Sequence, residues 1–136
     1  MPRILGLDVG DARIGVSISD ELCITAHGLC TIHRRSLKKD IRSVEKIVDE
    51  YNVEKIVIGL PKMLSGEIGI QAQKVQRFIF ALQKLNIPII TWDERLTTAE
   101  AHRILSATDT SRKKRKKVID QLAASLILDS YLISIR

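Results

Sequence analysis

The sequence predicts an α/β fold on a mixed five-stranded sheet: three antiparallel strands, then two parallel crossover strands, flanked by helices. Three observations predict it. The first third of the chain holds three strand-like segments with short connections. Helical periodicity then alternates with short apolar runs, the order expected when strands are joined by helical crossovers. One of those runs, residues 54–59 (EKIVIG), is nearly all apolar, as a strand covered on both faces is.

The elements follow in order. Residues 3–9 (RILGLDV) are rich in strand formers, and Gly10-Asp11 reads as a turn. Residues 13–19 (RIGVSIS) alternate, with Ile14, Val16 and Ile18 on one face. Residues 22–33 read as a third strand, broken near His27-Gly28, which completes a meander. Ser36 can cap a helix on which Leu37, Ile41, Val44, Ile47, Val48 and Tyr51 recur at helical spacing, and Asn52 can end it. Residues 54–59 are the fourth strand. Pro61, Gly66 and Gly69 make 60–69 a loop. A second helix buries Val75, Phe78, Ile79, Leu82 and Leu85, and Asn86 and Pro88 stop it before a fifth strand at 87–93. Thr97 or Thr98 can cap a helix to about residue 107, with Glu100 as a capping-box acid. Residues 108–117 are polar and basic. The last helix spans about 115–134, with Val118, Ile119, Leu122, Ala123, Leu126 and Ile127 on its packed face.

A length of 136 residues fits one domain, 1–136, and no repeat, linker or low-complexity stretch divides it. Apolar residues are 45% and charged residues 28%, which excludes bulk disorder. Cys23 and Cys30 lack CxxC or finger spacing, so structural zinc is not expected, and two cysteines without a secretory signal suit a reducing, cytoplasmic setting. The apolar stretch near the C-terminus is broken by Asp120, Gln121 and Asp129, so it is not a membrane span. The net charge of +6 favours an acidic partner, most commonly nucleic acid. Aromatics are only 4%, so recognition by shape and phosphate contact is expected rather than base stacking.

Three acids stand out. Asp8 shares a strand face with Ile4 and Gly6 in what should be a central strand, where an ionised acid is costly unless paired, hydrated or metal-bound. Asp120 lies in the last helix with Ala123, Ala124 and Ile127 at i+3, i+4 and i+7, beside the packed face. Near a helix N-terminus it could equally serve only the helix dipole. Asp93 and Glu94 end the fifth strand, where open α/β sheets place ligands; pleating sends them to opposite faces, and Glu94 is the preferred one. Three such acids from distant segments suggest a site for magnesium or manganese, one ion or two, suited to phosphate chemistry.

The segments LGLDVGDARIGVSISD at 5–20, IVIGLPKMLSGEIG at 56–69, WDERLTTAEA at 92–101 and KKVIDQLAASLIL at 116–128 closely resemble the YqgF, or RuvX-like, family of RNase H-like nucleases. They occur in the family's order and span the whole chain. The resemblance implies an RNase H-like fold and a metal-dependent nuclease site of Asp8, Glu94 and Asp120. It further implies hydrolysis of phosphodiester bonds at the 5′ end of precursor 16S ribosomal RNA, with Holliday junction resolution on DNA as the alternative. A catalytically weak nucleic-acid-binding protein is the alternative of another class. In one place the sequence departs from true resolvases: the end of the fourth strand reads Gly59-Leu60-Pro61, without their acid.

Candidate contacts to structured RNA or branched DNA are Arg13 after the first turn, Lys62 and Ser65 on the 60–69 loop, and Arg95, Thr97 and Thr98 around Glu94. The basic run before the last helix adds Arg112, Lys113, Lys114, Arg115, Lys116 and Lys117. Arg13 could instead form an ion pair with Asp11 or Asp20, and the basic run could be a solvated loop. His27, beside Gly28, could line the cleft. A monomer suits RNA processing, whereas a junction resolvase would be a dimer.

Overall fold

The computed structural model describes residues 2–61, 69–93 and 112–136, the last segment as backbone alone up to residue 118. Its sheet has the order β3-β2-β1-β4-β5. β1 (Arg3–Val9) and β2 (Arg13–Ser19) form a hairpin, and β3 (Ala26–His33) extends it antiparallel to β2. α1 (Leu37–Tyr51) returns the chain so that β4 (Val53–Leu60) lies parallel to β1. α2 (Ile70–Leu82) and a 3-10 turn, Gln83–Leu85, lead to β5 (Ile89–Asp93), parallel to β4. α3 (Arg112–Ser134) crosses the sheet over β1, β2 and β3.

Local chemistry sets the helix ends. The Ser36 hydroxyl accepts a hydrogen bond from the Lys39 amide at 3.2 Å and caps α1. Asn52 and Asn86 end α1 and the 3-10 turn in the left-handed conformation, at φ 53° and 56°. Replacing Ser36 by Ala is expected to cost about 1 kcal/mol in urea denaturation, because one first-turn amide loses its acceptor.

Strand pleating divides the core into two layers. Leu5, Leu7 and Val9 join Ile14, Val16, Ile18, Ile56 and Ile58 beneath α1 and α2, which contribute Ile41, Val44, Val75, Phe78 and Leu82. On the other face Ile4 and Val57 pack under Ile127, Leu128, Tyr131 and Leu132 of α3, with Ile90 and Trp92 of β5 at the margin. The central strands are therefore covered on both sides, which is why β4 reads as an apolar run.

The starts of β3, β5 and α3 differ from the sequence reading. β3 begins at Ala26 rather than 22, because the Asp20 carboxylate accepts from the Ile24 and Thr25 amides at 2.7 and 3.3 Å and turns the chain. The Ile24 bond, above all, holds the Asp20 carboxyl below the usual carboxylate range. The expected break in β3 is a bulge: Val16 faces Cys30 but Ser17 faces Gly28, leaving Leu29 as the extra residue. β5 begins at Ile89, since Pro88 has no amide to donate, although its carbonyl accepts from Ile56 at 3.0 Å. α3 begins at Arg112, so the basic run is the start of this helix rather than a loop before it.

The packed face of α3 differs as well, with consequences for the site. The buried face of α3 is Ala123, Ala124, Ile127, Leu128, Tyr131 and Leu132, about one residue round from the expected face. Ile119, Leu122 and Leu126 are half-exposed. Asp120, four residues before Ala124, is thereby on the packed seam. The helix expected to run to residue 107 lies outside the described residues.

Candidate active site

Asp8 sits near the C-terminal end of β1, directly opposite Gly15 of β2. Both are on the face covered by α3, two residues along from Gly6 and Ser17 respectively. A Cβ at Gly15 would collide with the main chain of Asp120, and one at Gly6 would lie 2.8 Å from the Leu128 Cβ and 3.1 Å from the Ala124 carbonyl. Two glycines thus let α3 approach to main-chain distance. The buried Ser17 hydroxyl fastens the contact by donating to the Ala124 carbonyl at 2.8 Å. Cross-strand neighbours have Cβ atoms about 5 Å apart. The Asp8 carboxylate therefore emerges beside the turn of α3 that carries Asp120.

Arg13 belongs to the same constellation. It lies two residues before Gly15 on the same strand face, and its Nε donates to Asp120 Oδ2 at 2.6 Å, with the Asp120 side chain 18% exposed. Its partner is thus Asp120, neither Asp11 nor Asp20. The start of α3 at Arg112 also removes the helix-dipole explanation of Asp120, since that field acts within the first turn and Asp120 is the ninth residue. One seam therefore carries two carboxylates and one guanidinium.

On the other side of Asp8 is Gly59, which follows Ile58, the β4 partner of Leu7. Gly59 pairs in turn with Trp92 of β5. Trp92 faces α3: its ring meets Tyr131 edge-on at 5.6 Å and its Nε1 donates to the Ser130 hydroxyl at 3.0 Å. Asp93, the next residue, consequently falls on the opposite face from Asp8, which is why it is the poorer candidate of the 93–94 pair. Glu94 itself lies outside the described residues, as do Lys62, Ser65, Arg95, Thr97 and Thr98. For Arg112, Lys113, Lys114, Lys116 and Lys117 the backbone is helical and the side chains lie outside the described residues. His27 pairs with Ile18, toward the other end of the hairpin, and shares a 3.0 Å hydrogen bond with Thr25, so it does not line this cleft.

Among the described residues no three His, Cys, Asp or Glu side chains converge as a metal-binding group. Asp8 and Asp120 supply oxygen donors, the type hard divalent cations prefer, and magnesium often takes only one or two carboxylates plus substrate phosphate. Gly15 and Gly59 flank Asp8 on its two neighbouring strands, so no side chain from either position crowds it. The residues present fit such an ion. Sequence reasoning passed over a second charged region, the cations around Arg34 and along α1. Its signal was there in the 4-3-4 spacing of Arg35, Lys39, Arg42 and Lys46.

A central β1 flanked by an antiparallel hairpin and parallel β4, with a C-terminal helix laid over the acid-bearing face, defines an RNase H-like fold. Two solved structures share it across nearly the whole chain. One is Thermus thermophilus RuvC in complex with Holliday junction substrate, with TM-score 0.59 and 13% identity, covering 98% of this chain and 95% of that one. The other is the fowlpox virus resolvase with Holliday junction DNA, with TM-score 0.58 and 15% identity, covering 98% of each. The chain belongs to the RuvX family, described as Holliday junction resolvase, whose model matches residues 2–134. Relatives named "Putative pre-16S rRNA nuclease" include one from Thermoanaerobacter pseudethanolicus, 56% identical over 97% of this chain and 96% of its own length. Another, from Desulforudis audaxviator, is 51% identical over 97% of this chain and 94% of its own length. No helix among the described residues is long and apolar enough to cross a membrane.

Proposed function

We propose that the chain is a metal-dependent nuclease, a hydrolase of phosphodiester bonds in structured nucleic acid. Its substrate in this reading is precursor 16S ribosomal RNA, cut at the 5′ end, and residues 1–136 act as one nuclease domain. The observation that carries the reading is the packing of Asp120 over Gly15, the residue opposite Asp8. That contact brings two acids from opposite ends of the sequence to one seam, where their oxygens suit a hard divalent cation. The names of the relatives support precursor rRNA as the substrate.

Asp8 and Asp120 would hold the magnesium or manganese, and Glu94 is proposed as a further ligand. When bound, the ion activates water and neutralises charge on the phosphoryl oxygens. The chain's own residues do the rest. The strand pair fixes Asp8, and α3 fixes Asp120 against it through Ser17 and the two glycines. Arg13 offsets the charge of Asp120 and can turn its remaining N–H groups toward a phosphate of the bound strand. Lys62, Ser65, Arg95, Thr97, Thr98 and the cations at the start of α3 are proposed as further substrate contacts.

The test is incubation of end-labelled precursor 16S rRNA with the protein and magnesium. The expected result is a discrete cut at the 5′ side that is lost on chelation with EDTA. The second reading, a junction resolvase, has the family description in its favour. Symmetric cutting of four-way DNA junctions by a dimer, with the RNA left intact, would establish it instead. Binding without cleavage of either substrate would sink the enzyme reading and leave a binding protein.

A further inference from the structure

Beyond the hairpin tip, on the face of the sheet opposite Asp8, lies a cleft of about 510 Å³. Four cations line it: Arg34, Arg35, Lys74 and Arg77. The two acids in its wall, Asp11 and Asp40, are already engaged. Asp40, only 2% exposed, accepts from Arg34 Nε at 3.1 Å and from the Arg35 amide at 3.0 Å. Arg34 also donates to the Gly10 carbonyl at 2.9 Å and lies over the Phe78 ring at 5.4 Å. It is therefore a fixed wall rather than a mobile charge. Asp11 pairs with Lys74 at 3.2 Å, but both are well exposed, and such a pair contributes little and exchanges readily.

The ion pairs among the described residues include neither Arg35 nor Arg77. Arg35 also borders a second hollow of about 230 Å³, formed with Lys39, Arg42 and Lys46 on exposed turns of α1. None of these three is ion-paired among the described residues either. Lys39 to Lys46 spans about 11 Å along the helix, the rise of about three nucleotides in one strand of a duplex. Phe78 is 1% exposed beneath Arg34, so the cleft offers no ring on which a base could stack. Unpaired positive charge without a stacking surface matches backbone phosphate rather than bases.

The position completes the case. Arg34 grips Gly10, two residues and about 7 Å of strand beyond Asp8. The cleft and the site thus lie on either side of one hairpin tip. We propose that the cleft and the α1 stripe form a phosphate-backbone track that holds an arm of the structured nucleic-acid substrate away from the scissile bond. The inference rests on the nuclease reading above and extends it to a second contact surface.

The experiment is fluorescence anisotropy with a labelled 20-base-pair RNA hairpin, in EDTA, titrated with salt. Arg35→Gln and Arg77→Gln are each expected to weaken binding about threefold near 0.1 M salt and to lower the salt slope by about 1, and the double variant by about 2. Lys84→Gln removes the same charge beyond the far end of α2 and should leave the slope as in the wild type. Unchanged slopes in the arginine variants, or an equal fall in Lys84→Gln, would overturn the track while leaving the nuclease reading intact. Wild-type protein that binds no hairpin would overturn that reading, and the track with it. Stabilisation by pyrophosphate that the arginine variants lose, with hairpin binding unaltered, would assign the cleft to a small anion and overturn the track.

Discussion

Asp8→Asn is expected to lower magnesium-dependent cleavage by about 10³-fold or more, with the far-UV circular dichroism spectrum unchanged. Asparagine keeps the shape of the side chain and one carbonyl oxygen but loses the charge. A bound ion contributes several kcal/mol to stabilising the transition state, and about 4 kcal/mol corresponds to three powers of ten in rate. Single-turnover cleavage of the precursor RNA at saturating protein measures this without interference from product release. Calorimetric titration with manganese should show the same variant losing the ion. Retained manganese affinity together with lost cleavage would instead make Asp8 a group that acts on the substrate directly.

Gly15→Ala is expected to destabilise the protein by about 3 kcal/mol or more in urea denaturation. Overpacking a core ordinarily costs about 1–3 kcal/mol. Here the added methyl would meet the Asp120 main chain, which cannot rotate out of the way as a side chain can. Relief requires α3 to move off the hairpin, which weakens the Ser17–Ala124 bond and draws Asp120 away from Asp8. Activity should therefore fall further than the population of folded protein accounts for. Gly28→Ala is the control. Its added Cβ would lie 3.1 Å from the Gln121 Cβ and 3.2 Å from Oε1 of that flexible side chain, and a change within about 1 kcal/mol is expected.

Much of this was legible in the sequence. The alternation in 3–9 and 13–19 set the two faces of β1 and β2, and Ser36 and Asn52 marked both ends of α1, because a cap and a left-handed turn are local chemistry. Asp8 was legible for the same reason: its face follows from counting in twos. The seam of α3 was legible in part: Ala123, Ala124 and Ile127 placed Asp120 beside the packed face, and all three are buried, but Leu122 and Leu126, also expected on that face, are half-exposed. Small residues give a weak hydrophobic signal, yet here they let the helix sit against Gly6 and Gly15. The partner of Arg13 was hidden as well, since a contact across 107 positions depends on how α3 lands and not on neighbours in the chain. The cleft at Arg34 depends on the buried Asp40, which reads in sequence as an ordinary first-turn acid.

The central claim is that Asp8 and Asp120 share one divalent cation. Anomalous diffraction from a manganese-soaked crystal tests it most directly. The expected result is a manganese peak held by oxygens of both carboxylates, with Asp120 binding through Oδ1 while Arg13 Nε keeps Oδ2. A peak bound elsewhere, or manganese on Asp8 alone with Asp120 held only by Arg13, would contradict it.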